Sequence, residues 1–193
     1  GAFVHDVLGL RDDGISFDYK KGAYIAAKHL IECGHRRIGC VAGKENFYVT
    51  QQRIEGYRNA LEENGICFDP DLVYYGDYTM KSGYDAFSYI MGQKVTAIFS
   101  MNDEMAFGLY RAARLYGVSI PEDISIIGFD NVPFSDVMQV PLTTISVPVE
   151  EMGKFMGEKV IEMLDDRELY QKREKACYLP KLLVRASTRS ISV

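Results

Sequence analysis

Four segments of this sequence place polar and aromatic residues directly after apolar runs. Gly43-Lys44-Glu45-Asn46-Phe47-Tyr48-Val49-Thr50 follows the run at 38–42, with Arg53 soon after. Asp77-Tyr78 follows 71–76, Met101-Asn102-Asp103 follows 96–100, and Asp130-Asn131 follows 124–129. Together these segments supply one arginine (Arg53), several carboxylates, an amide and several aromatics. Arginine donates hydrogen bonds in a fixed fork, a carboxylate accepts from neighbouring hydroxyls, and an amide does both. An aromatic face covers the apolar side of a sugar or a flat base. Such a set suits capture of a small hydroxylated ligand in a mostly apolar cleft, and it needs no catalysis.

Each residue also has a structural reading. Asp103 opens a helix and fits an N-cap. Asn102 fits a turn, Asp130 an Asx turn, and Arg53 a solvated helix face. Tyr78, Phe47 and Tyr48 fit packing roles. Enzyme readings find less support. The chain has no GxGxxG, no GxxxxGK[ST], no GxSxG and no HExxH. His5, His29 and His35 show no ligand spacing, and structural roles are expected for His29 and His35. Glu150-Glu151 reads as a helix N-terminal pair that favours the dipole. Cys33, Cys40, Cys67 and Cys177 form no CxxC pair, which fits idle thiols in a reducing cytosol. No cofactor or metal is expected. The net charge of −5 and the lack of a long basic run exclude this chain as a DNA-binding surface by itself. The apolar runs fall far short of the roughly 20 residues that span a bilayer.

The elements that must position these groups alternate. Helical periodicity covers about 18–33, 50–63, 81–91, 103–116 and 150–164. Strand-like runs cover 38–42, 71–76, 96–100, 124–129, 143–147 and 178–184. Gly34, Gly65 and Gly117 close three of the helices. Helix–glycine–strand units of this kind predict crossover connections and a doubly wound parallel α/β fold. The strands lack alternation, as strands buried on both faces do. In such a sheet ligands bind outside the carboxyl ends of the strands, where the four segments fall.

Six stretches, in order, resemble the lactose-repressor/galactose-repressor (LacI/GalR) family of transcription regulators. They are Leu30 through Ile38 (LIECGHRRI), Arg53 through Leu61 (RIEGYRNAL), and Thr96 through Gly108 (TAIFSMNDEMAFG). Val118 through Asn131 (VSIPEDISIIGFDN), Pro141 through Ile145 (PLTTI) and Leu183 through Thr188 (LVRAST) follow. The resemblance covers nearly the whole chain. It implies a two-lobed periplasmic-binding-protein-like fold, with the first part of the N-terminal lobe absent from this chain. It assigns residues 1–35 to the end of the N-terminal subdomain and 36–141 to the C-terminal subdomain. Residues 142–176 become a crossover and an N-terminal-subdomain helix, and 177–193 a crossover with a C-terminal-subdomain strand and tail.

Carried over residue by residue, the family's effector contacts fall on Asp6, Phe47, Val49, Arg53, Tyr78, Asn102 and Asp130. Phe47 and Val49 replace the small hydroxyl residues common in sugar-responsive members, and Val147-Pro148 stands where many carry glutamine. The cleft is therefore expected to be less polar than in lactose-type regulators. The resemblance implies a cytoplasmic homodimer that binds a small effector, a sugar or related polar metabolite, between its lobes. Operator DNA would be bound through a headpiece not present here, and no membrane is involved. Dimer contacts are expected near 81–87, 107–116 and 134–138. The alternatives are a periplasmic sugar-binding protein of a transport system, and a small α/β enzyme acting on a sugar or nucleotide.

Overall fold

A computed structural model describes residues 14–165 and 175–191. Its elements are β1 (Gly14–Phe17), α1 (Tyr19–Glu32), β2 (Ile38–Ala42), α2 (Tyr48–Glu63), β3 (Val73–Tyr75), α3 (Met80–Gly92), β4 (Ala97–Ser100), α4 (Asp103–Tyr116), β5 (Ser125–Asp130), β6 (Thr143–Ser146), α5 (Val149–Asp165), β7 (Lys175–Tyr178) and β8 (Lys181–Leu183). Six strands form one sheet in the order β3-β2-β4-β5-β6-β8, and β1 pairs with β7 in a small second sheet. All pairings are parallel except β6–β8.

The strand order fixes where a ligand can enter. From β2 the chain moves outward to β3, then returns across β2 to β4. Right-handed crossovers then place α2 on one face of the sheet and α3 and α4 on the other. The direction reverses between β2 and β4, and the loops at their carboxyl ends diverge there to leave a crevice. Every residue of β2 and β4 is buried, as are the first five of β5. That burial explains the continuous apolar runs: helices cover both faces.

Local chemistry sets the helix boundaries. Asp18 caps α1 by accepting from Lys21 N at 2.8 Å, and Thr79 caps α3 by accepting from Ser82 N at 3.2 Å. Gly117 ends α4 with φ of 68°, a left-handed conformation that costs glycine little. Ala23, Ala26, Ala27, Leu30 and Ile31 form the buried face of α1. That face lies against the large sheet, and α1 also packs on α2. At their crossing a Cβ on Gly56 would sit 2.0 Å from the Lys20 carbonyl oxygen, so only glycine allows the approach.

Two sequence expectations change. The single strand at 178–184 is two strands, broken at Leu179-Pro180. Pro180 has no N–H to give a ladder, and there the chain leaves the small sheet for the large one. The division at residue 35 separates α1 from α2, yet α1 packs on α2 and on β4, β5, β6 and β8. Its alanine-rich face needs that sheet for burial, so α1 belongs with the six-stranded unit. His29 and His35 are structural, as expected. Buried His35 contacts Thr96 Oγ1 at 2.9 Å through Nδ1, and Ser125 Oγ and the Arg189 carbonyl through Nε2. His29 contacts Thr188 Oγ1 at 2.9 Å. Among the described residues no helix is long and apolar enough to cross a membrane.

Candidate functional site

Arg53 is the centre of the crevice. It leaves the second turn of α2 and is 4% exposed. One guanidinium nitrogen, Nη1, donates to the Met101 carbonyl just beyond β4. The other, Nη2, donates to Asp130 Oδ1 at the end of β5, 3.3 Å away. Aromatic rings enclose the group: Phe129 lies 3.9 Å from Cζ to ring centroid, Tyr19 at 5.1 Å and Tyr78 at 5.9 Å. Desolvated cation–π contacts of this kind are worth about 0.5–2 kcal/mol each. Nε is buried without a hydrogen-bond partner among the described residues, a cost of about 1–3 kcal/mol that functional sites tolerate.

Asp130 differs from its surroundings in having spare capacity. Among the described residues its carboxylate accepts one side-chain hydrogen bond, from Arg53, and its side chain is 34% exposed. Loss of solvent beside the aromatic cluster pushes its pKa up to about 6, outweighing the opposing pull of Arg53; the Asp103 charge adds to the rise. Its backbone is left-handed, with φ of 106°, as is that of Asn131 at 57° and Tyr78 at 71°. Non-glycine residues in that region cost about 1–3 kcal/mol each, and such strain concentrates at functional sites.

Tyr78 follows β3, and its hydroxyl meets Thr50 Oγ1 at 2.8 Å. Its ring lies over Gly43, where a Cβ would come within 1.9 Å of Cε2. Burial raises the Tyr78 hydroxyl above its ordinary range, against the lowering pull of Arg53. Asn102 Nδ2 donates to the Tyr78 carbonyl at 2.9 Å, and its Oδ1 accepts from Met105 N at 2.9 Å. Asn102 is therefore the N-cap of α4, a role the sequence reading gave to Asp103.

Asp103 lies one residue further on, in the first turn of α4, and is fully buried. Its Oδ1 accepts from Thr144 Oγ1 at 2.7 Å, and its Oδ2 accepts from Val132 N at 2.9 Å and Ser135 Oγ at 2.5 Å. Burial raises its pKa despite these donors.

The structure thus brings Arg53, Tyr78, Asn102 and Asp130 together at the strand ends. Phe47 stands apart on the loop before α2, 47% exposed, with Lys44 Nζ 5.5 Å from its ring centroid. Val49 is half-buried in the first turn of α2. Asp6 lies outside the described residues. Sequence reasoning missed Tyr19 and Phe129, the rings nearest the guanidinium. Phe129 precedes Asp130 in the GFDN stretch and looked like strand core, which it also is. Tyr19 gave no signal, because only the packing of α1 on the sheet brings it to Arg53.

The arrangement offers a buried donor fork, a carboxylate with free lone pairs and aromatic walls, all outside the carboxyl ends of β2, β4 and β5. It can hold a hydroxylated or polar-edged small molecule. A family model described as a periplasmic binding protein-like domain matches residues 27–188. The HTH-type transcriptional regulator DegA of Bacillus subtilis is 34% identical over 181 residues, which are 93% of this chain and 53% of that protein. The HTH-type transcriptional repressor CytR of Escherichia coli K12 is 36% identical over 180 residues, 92% of this chain and 52% of that one. This chain therefore spans about half the length of the curated relatives it matches. Among solved structures, a LacI family transcriptional regulator from Enterococcus faecium, crystallised with bound ribose, superposes with a TM-score of 0.88 at 31% identity. The match covers 93% of this chain and 67% of that one.

Proposed function

The chain belongs to the LacI family of transcription regulators, and on that premise we propose that it is the effector-binding and dimerisation core of such a regulator. The ligand is a small hydroxylated molecule, a sugar or related polar metabolite. It sits against Arg53, Asp130, Tyr78 and Asn102, with Phe47 and Val49 lining the less polar side of the entrance and Asp6 as a further contact that the family resemblance implies. The observation that carries this reading is the Arg53–Asp130 pair at the reversal point of the sheet, with lone pairs to spare on Asp130. The bound ribose of the Enterococcus faecium relative supports the ligand class.

In this reading the six-stranded sheet with α1 to α4 forms one lobe. The paired β1 and β7, together with α5, lead into the other. A ligand clasped between lobes changes their relative orientation only by its differential affinity for the two states. In the whole, cytoplasmic protein that shift alters operator affinity through a DNA-binding headpiece outside this chain. The open groove between α4 and the segments at 118–122 and 134–140 holds about 820 Å³ and is lined by Phe107, Tyr110, Val118, Phe134 and Met138 among others. It fits an isologous contact with a second copy. The relatives favour a regulator over a transport-associated binding protein or an enzyme.

A thermal-shift screen of the full-length protein against pentoses, hexoses, disaccharides, sugar phosphates and purines tests the proposal. A ligand of the folded state at 100 times its Kd adds about 2.7 kcal/mol of stability. The reading predicts at least one such shift, lost in Asp130→Ala and Arg53→Ala. A shift that survives both substitutions contradicts the site.

A further inference from the structure

Arg185 belongs to the last of the six family-like stretches, and the effector site described above makes no use of it. It reaches well away from β8. Its backbone N–H donates to Thr143 Oγ1 at 2.9 Å. Its guanidinium then joins the two ends of the loop between β5 and β6: Nη1 donates to the Leu142 carbonyl and Nη2 to Asn131 Oδ1, both at 2.8 Å. These are short, charge-assisted contacts from a rigid planar fork.

What the fork grips is the strained turn beside the effector site. Asp130 and Asn131 are consecutive left-handed residues, and neither is glycine. Such a backbone persists only where its surroundings over-determine it. Val147 N–H donates to the Asp130 carbonyl at 3.4 Å on the strand side, and two side chains grip the residues beyond it. Asp103 takes the N–H of Val132 on one side, and Arg185 takes the side chain of Asn131 itself. Anchoring the C-terminal tail does not account for Arg185. Ser187 already donates to the Ile126 carbonyl at 2.6 Å and accepts from Thr143 N at 2.7 Å, and Arg189 N donates to Ser125 Oγ at 3.1 Å.

We infer that Arg185 is a positioning residue for effector capture: it locks the Asp130–Asn131 turn so that the Asp130 carboxylate stays beside Arg53, without itself touching the ligand. The inference rests on the proposed reading of Asp130 as an effector contact. Its test reads the turn directly and needs no ligand, so the two can fail separately.

The test is a ¹³C-carboxyl NMR titration of Asp130 in the full-length protein, comparing wild type, Arg185→Ala and Arg185→Ala/Asn131→Gly. In the wild type, with burial pushing the Asp130 carboxyl up to about 6, the expected midpoint is there. With Arg185 gone the Asp130 carboxylate leaves its place beside Arg53, and its midpoint moves by about 0.5 pH or more, upward where the lost pull of Arg53 dominates and downward where solvent entry does. Glycine takes the left-handed conformation without strain, so the second substitution restores most of the shift. An unchanged Asp130 midpoint in Arg185→Ala overturns the inference. So does a shift that Asn131→Gly leaves uncorrected, because that pattern belongs to a residue needed only for folding. If Arg185→Ala does not fold, Arg185→Lys, which keeps the charge but not the fork, is judged by the same two outcomes.

Discussion

Asp103 and Asp130 stand at the ends of neighbouring strands, and their oxygens are used in opposite ways. Asp103 is sealed from solvent, and its two oxygens accept hydrogen bonds from Thr144, Val132 and Ser135, among others. Asp130 shares one hydrogen bond with Arg53, keeps a third of its side chain in solvent and sits on left-handed backbone. Residue type and strand-end position are nearly the same, so neither decides the role. The number of donors already committed to each carboxylate decides it. A saturated carboxylate holds a fold together; an unsaturated one on a strained turn remains available to a ligand.

Substitutions at the two positions separate these roles. The largest effect falls on Asp103→Ala, which strands the Val132 N–H and the Ser135 and Thr144 hydroxyls. Chemical denaturation of the full-length protein is expected to register a loss of about 3–5 kcal/mol. A loss below about 1 kcal/mol shows the knot to be dispensable and removes the contrast. Asp130→Ala reverses the pattern: stability changes by less than about 1 kcal/mol, while affinity for a sugar identified in the screen falls by about 100-fold, or 2.7 kcal/mol. Calorimetric titration measures it.

Acidity gives the next effect. If ligand hydroxyls donate to ionised Asp130, affinity is flat above pH about 6 and falls by up to about tenfold per pH below it. The unliganded fold follows the opposite sign. The folded-state value is raised above the unfolded one, so the stabilising contribution of Asp130 is full below the unfolded pKa and is lost as pH rises through about 6. Melting curves from pH 4 to 8 with and without sugar should therefore diverge as pH rises. Parallel curves separate Asp130 from the ligand. The smallest effect belongs to Thr144→Val, which removes one of the Asp103 donors. It should cost about 1 kcal/mol and leave sugar affinity unchanged.

Much of this arrangement is visible in the residues. Apolar runs without alternation mark β2, β4 and β5, because helices bury both faces. Gly117 marks the end of α4 because the left-handed cap suits glycine. The rule that ligands bind beyond strand ends groups Arg53, Tyr78, Asn102 and Asp130 from the sequence alone. The misread details depend on tertiary contact. Asn102 and Asp103 are adjacent and both suit an N-cap. Only the arrival of Thr144, Val132 and Ser135 draws Asp103 inward and leaves the cap to Asn102. Tyr19 reaches Arg53 because α1 packs on the large sheet, a partner its own periodicity could not specify. The change of sheets at Pro180 was hidden inside one apolar stretch.

The most direct test of the division between the two carboxylates is a crystal structure of the full-length protein with the tightest-binding sugar from the screen. The account predicts sugar hydroxyls about 3 Å from the Asp130 carboxylate and the Arg53 guanidinium, with Asp103 still holding Thr144, Val132 and Ser135. A sugar bound away from Asp130, for instance in the groove beside α4, or one that draws Asp103 out of its knot, contradicts it.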